Sequence, residues 1–439
     1  LENGGAECPR LFINRMPSSS SSRRSERNVR LDPMGIYGTR SERRRLQLQR
    51  RRQVQNVVLW LLGILALGFG GWWLFQPHPT SLHTDWSAAL PFRPAGAPVV
   101  TESGALLLPS QSGGLWAMSQ ADPSHQPQRL FATAFAPSAP PLVVSSSIFW
   151  PGGDGVLRAL DLSGKQRWAR ALPSALVGRP GLARTKSRPV VAVGDDEGHI
   201  GAFDAVSGAP LWRRSLGGGV GEEVVSSGGT TPVFIVPMLA GATSGGGLIC
   251  LDAATGTPRW RFPAKSSDQG PGIAAPAVSQ GRVYWCNDEG TVIALDVATG
   301  RKVWKTFVKP HLPGSQAKEE AKNFLMLRGA PVVVLNEGIV AVGGNDGLLR
   351  AFDIDTGTER WTLDLGGPAL FAAQRLSFEG RDVLLATGSA PGIYLLEAAT
   401  GRVVRHWATP YGTEMGVATT GSTALALDAE GHLQGAALR

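Results

Sequence analysis

Six stretches of this chain repeat one pattern: GVLRALDLSGKQRWARAL (155–172), GHIGAFDAVSGAPLWRRSL (198–216), GGLICLDAATGTPRWRF (246–262), GTVIALDVATGRKVWKTF (290–307), GLLRAFDIDTGTERWTLDL (347–365) and the weaker GIYLLEAATGRVVRHW (392–407). Trp168, Trp212, Trp260, Trp304 and Trp361 fall 44, 48, 44 and 57 residues apart. A unit that recurs at this spacing cannot bury its apolar surface alone and must stack on its neighbours.

Each part of the unit has a local reason. The apolar runs are short, rich in β-branched residues and free of proline, so they read as strands. Runs such as TVIAL are apolar throughout, which fits a sheet covered on both faces. In the D-x-x-T/S-G segment, Asp204, Asp252, Asp296 and Asp353 accept bonds from turn amides, while Gly208, Gly256, Gly300 and Gly357 supply positive φ. A second turn precedes each unit, as in DDEG (195–198) and NDEG (287–290). With one further inner strand, for example PVVVL (331–335), the unit is a four-stranded propeller blade. Ala159, Ala202, Ala294 and Ala351 share one slot of the third strand, read here as room for closely approaching sheets, and the tryptophan as filler of the wide outer gap.

Third strands number eight when GGLWAM (113–118) and EGHLQGAAL (430–438) are added, but the last unit lacks a fourth strand. DWSAAL (85–90), with Trp86, resembles RWARAL (167–172), so strand 83–90 is expected to complete the last blade and close the ring. Closure removes the open sheet edge. The expected fold is all-β: an eight-bladed β-propeller of four-stranded antiparallel blades over residues 83–439, preceded by one transmembrane helix.

The G-x-h-x-A-h-D-x-x-T-G-x-x-x-W unit resembles the PQQ-like repeat of eight-bladed, quinoprotein-type propellers. No Trp-Asp dipeptide occurs, which disfavours WD40, and kelch is the weaker alternative. Among non-enzymatic members the pattern is similar to the outer-membrane assembly factors of the BamB family, whose job is scaffolding in β-barrel protein assembly. Quinoprotein dehydrogenases of this fold carry a vicinal Cys-Cys pair and a calcium site of Glu, Asn and Asp. The three cysteines here, Cys8, Cys250 and Cys286, include no adjacent pair and fit no zinc spacing.

The N-terminal region differs in kind. Net charge is +8, and residues 1–55 hold 13 Arg against 5 acids, so the remainder is neutral. A basic partner surface for nucleic acid is therefore not expected of the propeller. Residues 57–75, VVLWLLGILALGFGGWWLF, contain no charge. At 1.5 Å per residue they reach about 28 Å, the depth of a bilayer core. Four parts are expected: a basic, disordered cytoplasmic tail (1–55), a transmembrane helix (56–76), a linker (77–82) and the propeller (83–439). The Arg-rich RSERRRLQLQRRR (40–52) places the tail inside and the propeller in the periplasm of a bacterial cytoplasmic membrane.

On these grounds the chain is expected to be no enzyme, with no cofactor, no metal and no small-molecule substrate. It is read as a membrane-anchored scaffold for envelope proteins, a PQQ-dependent oxidoreductase or a sensor ectodomain being the alternatives. The partner surface is expected where the repeat breaks, in VKPHLPGSQAKEEAKNFLMLRGA (308–330), with Lys309, His311, Lys318, Lys322, Phe324, Met326 and Arg328 as contact residues. His199 and His432 share one repeat position and read as ordinary strand-start residues.

Overall fold

The structure, a computed structural model, describes residues 54–55, 57–63, 79–119, 126–241, 244–263, 272–308, 327–369, 371–389 and 392–438. The chain divides into two units, residues 1–77 and 78–439.

In the first unit the described residues are helical at 54–55 and 57–63, with exposed apolar side chains from Val54 to Leu62. The expected membrane-spanning helix is corrected here. Among the described residues no helix is long and apolar enough to cross a membrane. The stretch 54–63 reaches roughly 15 Å, half the depth of a hydrocarbon core. The single-pass topology and the membrane partnership derived from 56–76 lose their support with it. Residues 1–53, 56 and 64–78 lie outside the described residues.

The second unit is eight sheets, each with four antiparallel strands that, apart from one N-terminal strand in blade 8, pair with their neighbours in sequence. Blade 1 runs from Val99–Val100 to Gln128–Ala132, blade 2 from Leu142–Val144 to Gln166–Ala171, and blade 3 from Leu176–Arg184 to Pro210–Ser215. Blade 4 spans Val225–Ser227 to Pro258–Phe262, blade 5 Ala277–Ser279 to Lys302–Phe307, and blade 6 Val332–Val334 to Glu359–Asp364. Blade 7 spans Gln374–Phe378 to Val403–Trp407. Blade 8 takes Val417–Thr420, Thr423–Leu427 and His432–Ala437 from the C-terminus and Trp86–Ala89 from the N-terminal side. Trp86 lies opposite Gly435, where a Cβ would sit 2.3 Å from the indole.

Residues 80–82, read from the sequence as linker, form a strand. Thr80–Leu82 runs parallel to the outer strand of blade 7, with Thr80 opposite Arg405 and Leu82 opposite Trp407. The N-terminal segment therefore straps two blades together before the ring closes.

The core lies between blades as eight separate clusters, each joining the facing sides of two sheets. Middle strands are covered on both faces, as Thr291–Asp296 shows with five consecutive buried residues. Ala159, Ala202, Ala294 and Ala351 lie directly opposite Trp168, Trp212, Trp304 and Trp361 of the same blade, so an indole lies beside each of these small slots on the adjacent strand. Cys250 fills that slot opposite Trp260.

Candidate functional site

The repeat residues form a latch between consecutive blades. Each indole Nε1–H donates to a carbonyl in the next blade's D-x-x-T-G turn: Trp168 to Ala205 (3.3 Å), Trp212 to Ala253 (3.0 Å), Trp260 to Val297 (2.9 Å), Trp304 to Ile354 (3.0 Å) and Trp361 to Ala398 (3.0 Å). The turn glycine sits against the same ring. A Cβ on Gly208, Gly256, Gly300 or Gly357 would come within 2.5–2.6 Å of the indole of the preceding blade. Asp204, Asp252, Asp296 and Asp353 hold the turn by accepting the amide three residues on, at 2.8–3.0 Å. Hydrogen bonding to Thr299 holds the Asp296 carboxyl below its ordinary range. Trp407 has no such turn ahead of it, and its Nε1–H donates instead to Thr84 Oγ at 3.0 Å, on the N-terminal strap.

These contacts are architectural and ring the periphery. The place where the repeat stops being uniform is the axis. All eight blades contribute to a cavity of about 890 Å³ there. Blades 8, 1 and 2 supply an apolar arc that includes Val99, Val100, Ala139, Met415 and Ala418. Blades 3, 4 and 6 supply Arg179, Glu222, Glu223 and Arg328.

The charged arc is built by backbone contacts between blades. Arg179 N–H donates to Glu222 O (2.7 Å), Val224 N–H to Arg179 O (3.0 Å) and Glu222 N–H to Ile273 O (2.9 Å). Gly178 makes the approach possible. Its φ is +74°, and a Cβ there would lie 2.3 Å from Gly221 O. Arg179 Nη1 then stands 3.7 Å from Glu223 Oε1, and Arg328 Nε stands 3.6 Å from Asp288 Oδ1. Both are ion pairs longer than a hydrogen bond.

Burial pushes the Glu222 carboxyl up to about 7, against the pull of the Ala275 amide and Arg328. Its side chain is open to the cavity, and the two facts agree: water reaches the carboxyl, but protein surrounds the channel and lowers its polarisability. Burial raises Glu223 and Asp288 as well, opposed by Arg179 and Arg328 respectively. Glu222 therefore changes protonation near neutrality and can accept, hold or release a proton toward whatever occupies the cavity.

Of the contact residues expected at 308–330, Arg328 is the one placed, on the axial cavity. Lys309, His311, Lys318, Lys322, Phe324 and Met326 lie outside the described residues. Sequence reading missed Arg179 and Glu222, which carry no repeat signature, and read Asp288 only as part of the NDEG turn. His199 and His432, read as strand starts, are the first residues of their strands, and each also meets an aspartate. His199 Nδ1 lies 3.0 Å from Asp195 Oδ2, and His432 Nδ1 lies 2.5 Å from Asp428 Oδ2. Both aspartates are buried. The signal was an Asp four residues before His in DDEGH and DAEGH.

The family described as outer membrane protein assembly factor BamB matches residues 196–438, more than half of the chain. The chain belongs to this family. Curated relatives lie on two sides of it. A BamB of Bordetella pertussis is 29% identical over 181 residues, covering 41% of this chain and 40% of its own length. A quinohemoprotein alcohol dehydrogenase of Comamonas testosteroni is 25% identical over 244 residues, covering 50% of this chain and 33% of its own. The dehydrogenase subunit of a quinone alcohol dehydrogenase from Gluconobacter oxydans is 27% identical over 164 residues, covering 34% of this chain and 20% of its own. The chain thus spans well under half the length of the curated relatives it matches. Among solved structures, BamB of Moraxella catarrhalis superposes with a TM-score of 0.58 at 16% identity, over 82% of this chain and 98% of that one. The Comamonas dehydrogenase superposes at 0.57 and 14%, over 82% of this chain and 77% of that one. At these identities the superpositions speak for the fold.

The reading of this propeller as a non-catalytic scaffold is corrected by those relatives, among which dehydrogenases outnumber assembly factors. Among the described residues no three His, Cys, Asp or Glu side chains are grouped to hold a metal. Cys250 and Cys286 are free, buried and in different blades, and burial pushes both thiols up. The sequence has no adjacent cysteine pair of the kind those dehydrogenases carry, and no step is derived through calcium.

Proposed function

We propose that this chain acts through its axial cavity as a small-molecule site of the quinoprotein kind, binding an anionic ligand with one apolar face. The observation that carries the reading is the two-sided cavity: Arg179 and Arg328 with Glu222 and Glu223 on one arc, and on the other mostly aliphatic side chains with Glu414. A volume of about 890 Å³ is within the range of ordinary ligand pockets. The guanidinium groups offer forked donors to a carboxylate, and their ion pairs to Glu223 and Asp288 are loose enough to yield one donor to a ligand. The aliphatic arc excludes water from the opposite face. Glu222 holds or takes a proton at its carboxyl. The relatives that support this reading oxidise alcohols with a quinone, so alcohol oxidation is the activity class proposed.

Titration calorimetry of the full chain with pyrroloquinoline quinone, with and without calcium, tests the reading, followed by dye-linked oxidation of ethanol. Saturable binding at one site that weakens at least tenfold in Arg179→Ala and in Arg328→Ala is the expected result. Absence of saturable binding in either condition overturns it.

A further inference from the structure

The outer strands of the blades are not equally protected. In each, the tryptophan side faces the next blade, and the alternate residues face the preceding one. In blades 3 and 4 the residue after the tryptophan is an arginine that closes this second face. Arg213 Nη2 donates to Ala171 O (3.1 Å) and Arg261 Nη2 to Leu216 O (2.9 Å), each on the blade before. In blade 5 that position is Lys305, for which the described residues provide no hydrogen bond or ion pair. On either side of it, two residues away, stand Val303 and Phe307, 44% and 63% exposed. Among the described residues these are the large exposed hydrophobics of any outer strand. Trp304 and Thr306 on the other face are engaged with blade 6, through Ile354 O and Gly357 O. The strand is therefore held rigidly by one face while the other presents apolar, cationic, apolar at alternate positions. Arg301 and Lys302 extend the positive charge at its start.

The same molecule shows what an outer strand of this ring can accept. Blade 7 carries a fifth strand, Thr80–Leu82, parallel to Val403–Trp407. The outer edge of blade 5 is unpaired among the described residues. An open edge with apolar side chains is a template for another extended chain.

From this we infer that the outer strand of blade 5, Lys302–Phe307, is a strand-addition site for an extended segment of a partner polypeptide that presents apolar, acidic and apolar residues at every second position, along one face. Main-chain hydrogen bonds supply the pairing. Val303 and Phe307 receive apolar side chains two residues either side of a carboxylate that meets Lys305. The charge of Arg301, Lys302 and Lys305 selects an acidic segment over a basic one. This surface is on the rim, away from the axial cavity, and does not depend on what that cavity binds.

The test uses the full chain and a fluorescein-labelled peptide of the pattern Val-Ser-Glu-Ser-Val, which sets valine, glutamate and valine on one face, read by anisotropy and by amide hydrogen exchange. Binding should protect the amides of 302–307 and leave those of the blade 3 outer strand unchanged. The double substitution Lys305→Glu with Phe307→Glu should weaken binding at least tenfold, while Ser215→Glu on blade 3 should not. Matching thermal melts show that both variants are folded. The same peptide with lysine in place of glutamate should bind at least tenfold more weakly. Equal binding of the two peptides, or an unchanged double variant, overturns the inference. So does protection, before peptide is added, of the outward amides of 302–307 that are not bonded to Thr291–Asp296, whether from a second copy or from residues 309–326 of the same chain.

Discussion

Replacing Gly357 with alanine tests whether the refrain of the sequence is a latch between blades. Gly357 has a φ of +71°, and its new Cβ would lie 2.5 Å from Trp304 Cε3 and 2.6 Å from Cδ2. Two costs arise. The left-handed backbone is worth roughly 1–2 kcal/mol against any residue with a Cβ. Forcing a methyl into a filled contact costs about 1–3 kcal/mol more. Gly380 separates them, because its φ is +72° and no atom lies within 4 Å of its Cβ position. Gly380→Ala should therefore lose about 1–2 kcal/mol, and Gly357→Ala about 2–5 kcal/mol. Urea unfolding followed by tryptophan fluorescence measures both. Adding Trp304→Leu to Gly357→Ala should recover at least ~1 kcal/mol relative to the sum of the single losses, because the ring that clashes has gone. If Gly357→Ala costs no more than Gly380→Ala, or the double variant is strictly additive, the glycine shapes only its own turn and the latch is refuted.

Thr84→Val removes the acceptor of the Trp407 indole and should cost about 1 kcal/mol, seen as a lower thermal midpoint without change in the fold. Truncation through Leu82 should lower the midpoint modestly by baring blade 7, whereas truncation through Leu90 should prevent ring closure, read by circular dichroism and sedimentation. Asp195→Asn leaves a buried amide beside the His199 N–H and Nδ1, bonded now at 2.7 and 3.0 Å; a loss of about 1.5–3 kcal/mol is expected by denaturant unfolding. Glu222 has its folded pKa, about 7, above the unfolded carboxylate value. The folded state then binds the extra proton between about pH 4.3 and 7, so stability falls as pH rises through that window and is level above it. Glu222→Gln should flatten that slope, and an unchanged slope would show that the carboxyl does not titrate there.

The periphery of the ring was legible because each of its parts obeys a short-range rule. Asp296 and Gly300 shape a turn within five residues, and TVIAL marks a strand covered on both faces. What the indoles do was only half legible. Their outward position follows from the repeat, but the bond from Trp304 to Ile354 crosses fifty residues to the next blade, and the small Ala294 turned out to answer Trp304 across a strand pair. The apolar segment at 57–75 has the composition of a membrane span, but no helix among the described residues is long and apolar enough to cross a membrane, and 64–75 lie outside them. The axial site was illegible for a plain reason. Arg179, Glu222 and Arg328 occupy no shared repeat position, and the repeated turn that holds Asp288 does not say what it faces, so nothing in the chain marks the four as neighbours.

By itself, the sequence determined a closed ring of eight blades, its turns and the outer position of its indoles, because identical local chemistry repeated at a fixed period admits few ways to bury its surface. Only the tertiary structure decided which side chains meet at the axis and which outer strand is left uncovered. Both depend on closing the circle, which brings together residues whose separation along the chain carries no information about their distance in space.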